Sequence, residues 1–242
     1  MKKELLLLTF LTFTVCASSC ISINGGIEPS NNYITRDYKV TDFDKIDISA
    51  VANIHYTQST DNSTSVKVYG PDNIVDLIEV SITDGTLVMK MKKKNISNIK
   101  GMKINITSPQ IRGITQHGVG NLYAEEGIRT SSLAIYNHGV GNLKIRNIKC
   151  EDIDVRATGV GNVELSGEVV NASMSAEGVG NLSADELKSE NVEARSNGVG
   201  NLSCYATKSI SATNSGIGNI RYKGDPVDKK LNKSGIGSIK QI

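Results

Sequence analysis

The stretch Gly159-Val160-Gly161-Asn162, followed by Val163, recurs through the second half of the chain and decides how the rest is read. Before it stand Gly118-Val119-Gly120-Asn121 and Gly139-Val140-Gly141-Asn142. After it stand Gly178-Val179-Gly180-Asn181, Gly198-Val199-Gly200-Asn201, Gly216-Ile217-Gly218-Asn219 and Gly235-Ile236-Gly237-Ser238. Successive first glycines lie 21, 20, 19, 20, 18 and 19 residues apart. A fixed period of this kind marks a stacked architecture, in which each unit buries its apolar edge only against its neighbours.

The residue after each motif is aliphatic: Leu122, Leu143, Val163, Leu182, Leu202, Ile220 and Ile239. That uniformity assigns it to the core. At six and four residues before the next motif stand Leu133 and Ile135, Ile153 and Val155, Ala172 and Met174, Val192 and Ala194, and Ile210 and Ala212, weakening to Lys229 and Leu231. Alternation with period two is a strand pattern. Each repeat then reads as two short strands joined by a polar stretch and the glycine motif, too short for a helix pair. The expected fold is all-β, a right-handed parallel β-helix (β-solenoid) with coils of about twenty residues, the hand following the rule for parallel crossovers.

Glycine at the corner permits positive φ and close approach of neighbouring coils, and asparagine tolerates positive φ better than most residues. Stacked about 4.8 Å apart, Asn121, Asn142, Asn162, Asn181, Asn201 and Asn219 are expected to form an amide ladder along the stack. These glycines and asparagines are therefore read as structural. A degenerate copy, Ala50-Val51-Ala52-Asn53, stands 68 residues before the first regular one. From Tyr38 to Gln58 the pattern alternates, with Val40, Phe43, Ile46, Ile48, Val51 and Ile54 as candidate core. Asp84-Gly85 between Ile78–Thr83 and Thr86–Met91 is a hairpin signal, so an N-terminal antiparallel hairpin element is expected to cap or flank the first coils.

The chain begins with Lys2 and Lys3, an apolar run from Leu5 to Val15, and Ala17-Ser18-Ser19-Cys20. This is the layout of a secretion signal, too short to span a bilayer. Small residues before a cysteine resemble the lipobox of bacterial lipoproteins, which makes Cys20 the expected lipid anchor; Val15 disfavours Cys16. The expected organisation is a signal peptide over 1–19, a lipidated tether over 20–35, and a single β-helix domain over 36–242 with regular repeats over 118–238. Cys150 and Cys204 remain for the folded part. They sit at different offsets and more than two coils apart, so two free, buried thiols are expected.

Lys and Arg total 27 against 25 Asp and Glu, a net charge of +2, and no global field points to nucleic acid. Lys229, Lys230, Lys233 and Lys240 crowd the last coil, as lysines that block edge-to-edge pairing do. Lys90, Lys92, Lys93 and Lys94 alternate with Met89 and Met91 and read as the solvent face of a strand. His117 and His138 occupy the same repeat position on adjacent coils, but that column continues as Thr158, Glu177, Asn197, Ser215 and Ser234. No third ligand is evident, and no metal or other cofactor is expected. Nearly constant coil length leaves no loops for a cleft wall, and nucleophile and phosphate-binding motifs are absent. A non-catalytic protein is expected.

The lipobox, Phe43-Asp44-Lys45-Ile46, Asp84-Gly85-Thr86-Leu87-Val88, Ile106-Thr107-Ser108-Pro109 and then the Gly-Val-Gly-Asn series together resemble the putative auto-transporter adhesin, head GIN domain family of Bacteroides-type lipoproteins. The resemblance covers about residues 36 to 240. It implies a β-helical fold and an adhesive role and carries no catalytic residues. Two function classes stay open: an adhesin or glycan- and ligand-binding module, and a periplasmic scaffold for protein interaction. The third, a polysaccharide-acting β-helix enzyme, lacks a cleft. Tyr123, Tyr136, Tyr205 and Tyr222 form no single column, which weakens the glycan reading. The expected location is the cell envelope, anchored to the outer membrane through Cys20, on its periplasmic or its surface face.

Overall fold

The computed structural model describes residues 26–92 and 96–242. The signal segment and Cys20 lie outside the described residues, as do Lys93 and Lys94. The chain starts with β1 (Tyr33–Tyr38), β2 (Lys45–Ser49), β3 (Asn53–Gln58), β4 (Ser65–Pro71), one helical turn α1 (Asp72–Val75), β5 (Ile78–Thr83), β6 (Thr86–Met91) and β7 (Lys103–Ser108). Then come β8 (Gly113–Gln116), β9 (Leu122–Ala124), β10 (Ile128–Arg129), β11 (Ser132–Asn137), β12 (Leu143–Ala157), β13 (Val163–Ala176), β14 (Leu182–Ser196) and β15 (Leu202–Asn214). The last three are β16 (Ile220–Lys223), β17 (Asp228–Lys233) and β18 (Ile239–Gln241).

From β8 onward every pairing is parallel and each coil lies on the one before it, as in a β-solenoid. The motif residues form one column: Val51, Val119, Val140, Val160, Val179, Val199, Ile217 and Ile236 are joined in that order by parallel bridges. The residue after the motif is core in the stack, with Leu122, Leu143, Val163, Leu182, Leu202 and Ile220 all at most 1% exposed. Burying one such side chain contributes roughly 1.5–3 kcal/mol.

The coil differs from the expected two strands joined by a polar stretch. Each of β12 to β15 is one strand that bends around the coil, with register shifts such as that between Ile145 and Ile148. In β12 the inward residues are Leu143 and Ile145, Ile148 and Cys150, and Ile153 and Val155. Each coil thus offers three inward segments, and the middle one lies in the stretch read as polar. Cys150 belongs to that middle segment and Cys204 to the first; both are free and buried.

The base is built differently. Arg112 connects β7 to β8, and β2–β3 lies between those two levels: β2 pairs in parallel with β6 on one side and β8 on the other. β3 likewise pairs with β7 and β9. Ala50-Val51-Ala52-Asn53, the corner between β2 and β3, therefore stacks directly under Gly118-Val119-Gly120-Asn121. The excursion between them folds back as an antiparallel cap, in which β1 pairs with β4, β4 with β7, and β5 with β6. Asp84 and Gly85 both take positive φ, 48° and 70°, closing the hairpin with the turn that suits strand twist. Of the candidate core at the base, Phe43, Ile46, Ile48 and Ile54 are buried, but Val51 is only half-buried, because its side chain leaves the corner outward while Ala50 and Ala52 point in.

Residues read as tether are also tied to the fold. Ile27 bridges Ile96, Ser30 N–H donates to Asn73 Oδ1 at 2.9 Å, and β1 starts at Tyr33. At the far end β17 pairs only with β15, and its residues are exposed throughout. Lys229 and Leu231 there hold positions that face the core in every lower coil. A charge at such a position obstructs further stacking.

Candidate functional site

The motif corner is held by the backbone. Val140 N–H donates to Gly118 O at 3.0 Å and Gly120 N–H to Val140 O at 2.9 Å, a pattern repeated up the stack. A Cβ on Gly161 would lie 2.1 Å from Gly141 O, and one on Gly159 2.0 Å from Gly139 O. Side chains are thus excluded from both glycine columns by the coil beneath. Only the second glycine also needs positive φ, +137° at Gly161. The motif asparagines take no positive φ, contrary to the expectation that they share the corner strain. Their role is hydrogen bonding: Asn181 Oδ1 accepts from Asn201 N–H at 2.9 Å and from Asn201 Nδ2 at 3.2 Å. The ladder runs one level lower and one higher than the six asparagines, since Asn53 Oδ1 accepts from Asn121 N–H and Asn219 Oδ1 from Ser238 Oγ.

A second ladder stands on another corner, seven residues before the motif, where sequence reasoning assigned nothing. Asn171 Nδ2 donates to Asp152 Oδ1 at 2.9 Å, Asn191 Nδ2 to Asn171 Oδ1 at 2.9 Å, and Ser209 Oγ to Asn191 Oδ1 at 2.8 Å. The signal was present as the periodic series Ser132, Asp152, Asn171, Asn191, Ser209, but those residues also pass for loop. This ladder forms one wall of a shallow groove of about 520 Å³. Ala134, Asp154, Ser173 and Glu193 point outward from adjacent strands along it, and Arg112 lies at its basal end.

Asp154 accepts a hydrogen bond from Tyr136 Oη at 3.0 Å, and the Arg156 guanidinium sits 5.5 Å from the Tyr136 ring centroid. Burial, and then the neighbouring Asp154, push the Tyr136 hydroxyl above its ordinary pKa, so it stays a donor. The groove therefore presents carboxylates, amides, hydroxyls and a guanidinium in rows with the coil spacing, open to solvent.

The histidines gather near the base. His117 and His138 stack with ring centroids 5.0 Å apart, and His55 stacks on Tyr123 at 5.1 Å. His138 Nδ1 is 2.6 Å from Thr158 Oγ1, and His117 Nε2 is 3.8 Å from Asp47 Oδ1. Among the described residues no group of three or more His, Cys, Asp or Glu side chains is arranged to hold a metal ion. Burial raises the Cys150 thiol to about 11 and the Cys204 thiol to about 12, with Asp152 and Asp185 respectively adding to the shift, so neither is a ready nucleophile. Tyr205 and Tyr222 share no outward column with Tyr123 and Tyr136; Tyr222 is core.

Residues 42–226 match the family described as "Putative auto-transporter adhesin, head GIN domain". A crystal structure named as a putative adhesin from Bacteroides fragilis is 49% identical, with a TM-score of 0.88, covering 90% of this chain and 100% of that one. A putative adhesin from Parabacteroides distasonis is 18% identical with a TM-score of 0.66, covering 89% of this chain and 99% of that one. A protein named as a putative lipid binding protein from the same species is 24% identical with a TM-score of 0.65, covering 89% and 99%. The last two show a shared fold. No curated protein matches the chain. The match over residues 42–226 and the similarity to the Bacteroides fragilis protein lead to one assignment: this chain belongs to the putative auto-transporter adhesin, head GIN domain family.

Proposed function

We propose that the protein is a non-catalytic lipoprotein of the cell envelope, held to the outer membrane by lipid on Cys20, which binds a glycan along the ladder-walled groove. The observation that carries this reading is the Asp152-Asn171-Asn191-Ser209 ladder beside Asp154, Ser173 and Glu193. A chain of sugars presents hydroxyls at short, regular intervals, and a wall of amides and carboxylates repeated about every 4.8 Å offers matching donors and acceptors. The groove is shallow and unroofed, which suits holding a long ligand better than enclosing a reacting bond. An adhesin name on the 49% identical relative favours binding in the same direction.

Asn191→Ala removes the middle rung, and the expected outcome on an array of bacterial and host polysaccharides is at least tenfold weaker retention than the parent chain. Retention of no glycan by the parent chain would refute the groove assignment. A second reading, a periplasmic protein scaffold, draws on Ile21 and Ser22, which follow Cys20 without the acidic cluster that resembles a surface-export signal. Protease treatment of intact cells separates the two: cleavage supports outward display, and protection supports the periplasmic face. Mass analysis of the mature chain for acyl groups on Cys20 tests the anchor.

A further inference from the structure

One outward column of the solenoid is apolar at every level of the stack. Val119, Val140, Val160, Val179, Val199, Ile217 and Ile236 project from the motif corner and are between 47% and 72% exposed. They supply seven of the thirteen exposed large hydrophobic residues among the described residues, and no other outward column there resembles them. The column immediately before the motif runs His117, His138, Thr158, Glu177, Asn197, Ser215; the one after it includes Tyr123, Lys144, Glu164 and Ser183. Outward strand positions in this fold therefore tolerate polar residues, and β-propensity alone does not demand valine at the ridge. A continuous exposed apolar stripe marks a contact surface.

Beside the ridge runs a groove of about 740 Å³. The upper five ridge residues, from Val160 to Ile236, are one wall, Thr158, Glu177, Asn197, Ser215 and Ser234 are the other, and the first glycines of those five motifs form a floor without side chains. Ridge and groove lie next to each other and share one period, because each coil contributes one residue to each. A second copy turned about a two-fold axis places its ridge in this groove and receives this ridge in its own, the self-matching arrangement of an isologous dimer. Glu177 is the only charged residue on the groove walls, so a charged partner finds nothing complementary there. Seven half-exposed β-branched side chains and the adjoining floor offer on the order of 600 Å² per copy, the low end for a specific, reversible interface. We infer that the valine ridge and its glycine-floored groove form a docking surface for a second copy of this chain. The surface is distinct from the glycan groove and stands or falls independently of it.

Cysteine placement provides the test. In a purified chain carrying Cys16→Ser and Cys20→Ser, the buried Cys150 and Cys204 are shielded from a short bis-maleimide. Seating ridge in groove requires a two-fold axis parallel to the stack, which sets Val179, the fourth of the seven ridge residues, level with Val179 of the other copy. V179C is expected to cross-link to a dimer, while V170C, also exposed but on another corner, is not cross-linked. Sedimentation should show a monomer–dimer equilibrium with Kd on the order of 10–100 µM. V160T/V179T/V199T, which keeps the β-branched shape and so the fold, should weaken it at least tenfold. A chain that stays monomeric at all accessible concentrations, or equal linking of V170C, overturns the inference. So does adsorption to neutral phosphatidylcholine vesicles that the threonine variant abolishes, which would assign the stripe to an acyl surface.

Discussion

The corner at Ala50-Val51-Ala52-Asn53 and the corner at Gly118-Val119-Gly120-Asn121 occupy adjacent levels of one column, yet only the upper one needs glycine. A Cβ on Gly118 would lie 1.9 Å from Ala50 O, and one on Gly120 2.0 Å from Ala52 O. Each glycine clears the backbone of the coil beneath it. Among the described residues no motif corner lies below Ala50 and Ala52, and both alanines are buried without positive φ. Glycine in this fold is therefore a consequence of being stacked upon a like corner. The asparagine, by contrast, is kept at the base, because Asn53 Oδ1 receives Asn121 N–H at 3.0 Å and serves the level above.

The most forceful way to break this comparison is an alanine at mid-stack. Gly161→Ala brings a Cβ within 2.1 Å of Gly141 O at φ +137°. Backbone strain and overpacking together are expected to cost about 3–6 kcal/mol, which lowers Tm by about 10–20 °C in a domain of this size. Calorimetry or circular dichroism melting measures it. A Tm unchanged from the parent would sink the assignment of glycine to inter-coil clearance. Next in size is the ladder. Asn181→Ala leaves Asn201 N–H without its side-chain acceptor and is expected to lose about 1–2 kcal/mol, read from chemical denaturation. Asn53→Ala should cost a similar amount if the base is as firmly stacked as the middle, and clearly less if it frays.

The stack was legible because its determinants are local and identical at each level. The aliphatic residue after the motif, the alternating pair before the next one, and the Asp84-Gly85 hairpin all follow from short-range patterns, and all appear where their spacing put them. The middle inward segment was not legible. It is filled by Ile148 and Cys150 in one coil, Gly167 and Val169 in the next, then Leu187 and Ser189, and register shifts between coils displace it relative to the motif. The base was hidden for a topological reason: β2 and β3 are covered from below by strands that come later in the sequence. The second ladder sat in plain periodicity, but Ser, Asp and Asn at a fixed offset read equally as turn residues.

A gentler substitution sharpens the contrast from the other side. Ala52→Gly places at the base the residue that the stack requires, but there is no close backbone to clear. It should cost about 0.5–1 kcal/mol through the greater freedom of the unfolded chain, whereas glycine in the levels above is indispensable. A gain in stability would mean that the base corner is strained in the same way as the others.

The smallest effect lies at the junction of the two regions, where His117 of the first stacked coil meets Asp47 of the base and His138 of the coil above. His138 is held below its ordinary pKa, first by burial and then by the charge of His117, with Asp47 opposing. At pH values above the ordinary histidine range both folded and unfolded chains leave His138 neutral. As pH falls through about 6.5 the unfolded chain takes up a proton first, so stability declines until the folded-state pKa is reached and then levels off. The side chain is largely solvated, and the loss is correspondingly slight. His138→Gln removes the titration, so the difference in Tm between parent and variant should change in the variant's favour from pH 7.5 to pH 5. A difference independent of pH would show that His117 and Asp47 screen the imidazole fully, and that the junction is electrostatically no different from the rest of the stack.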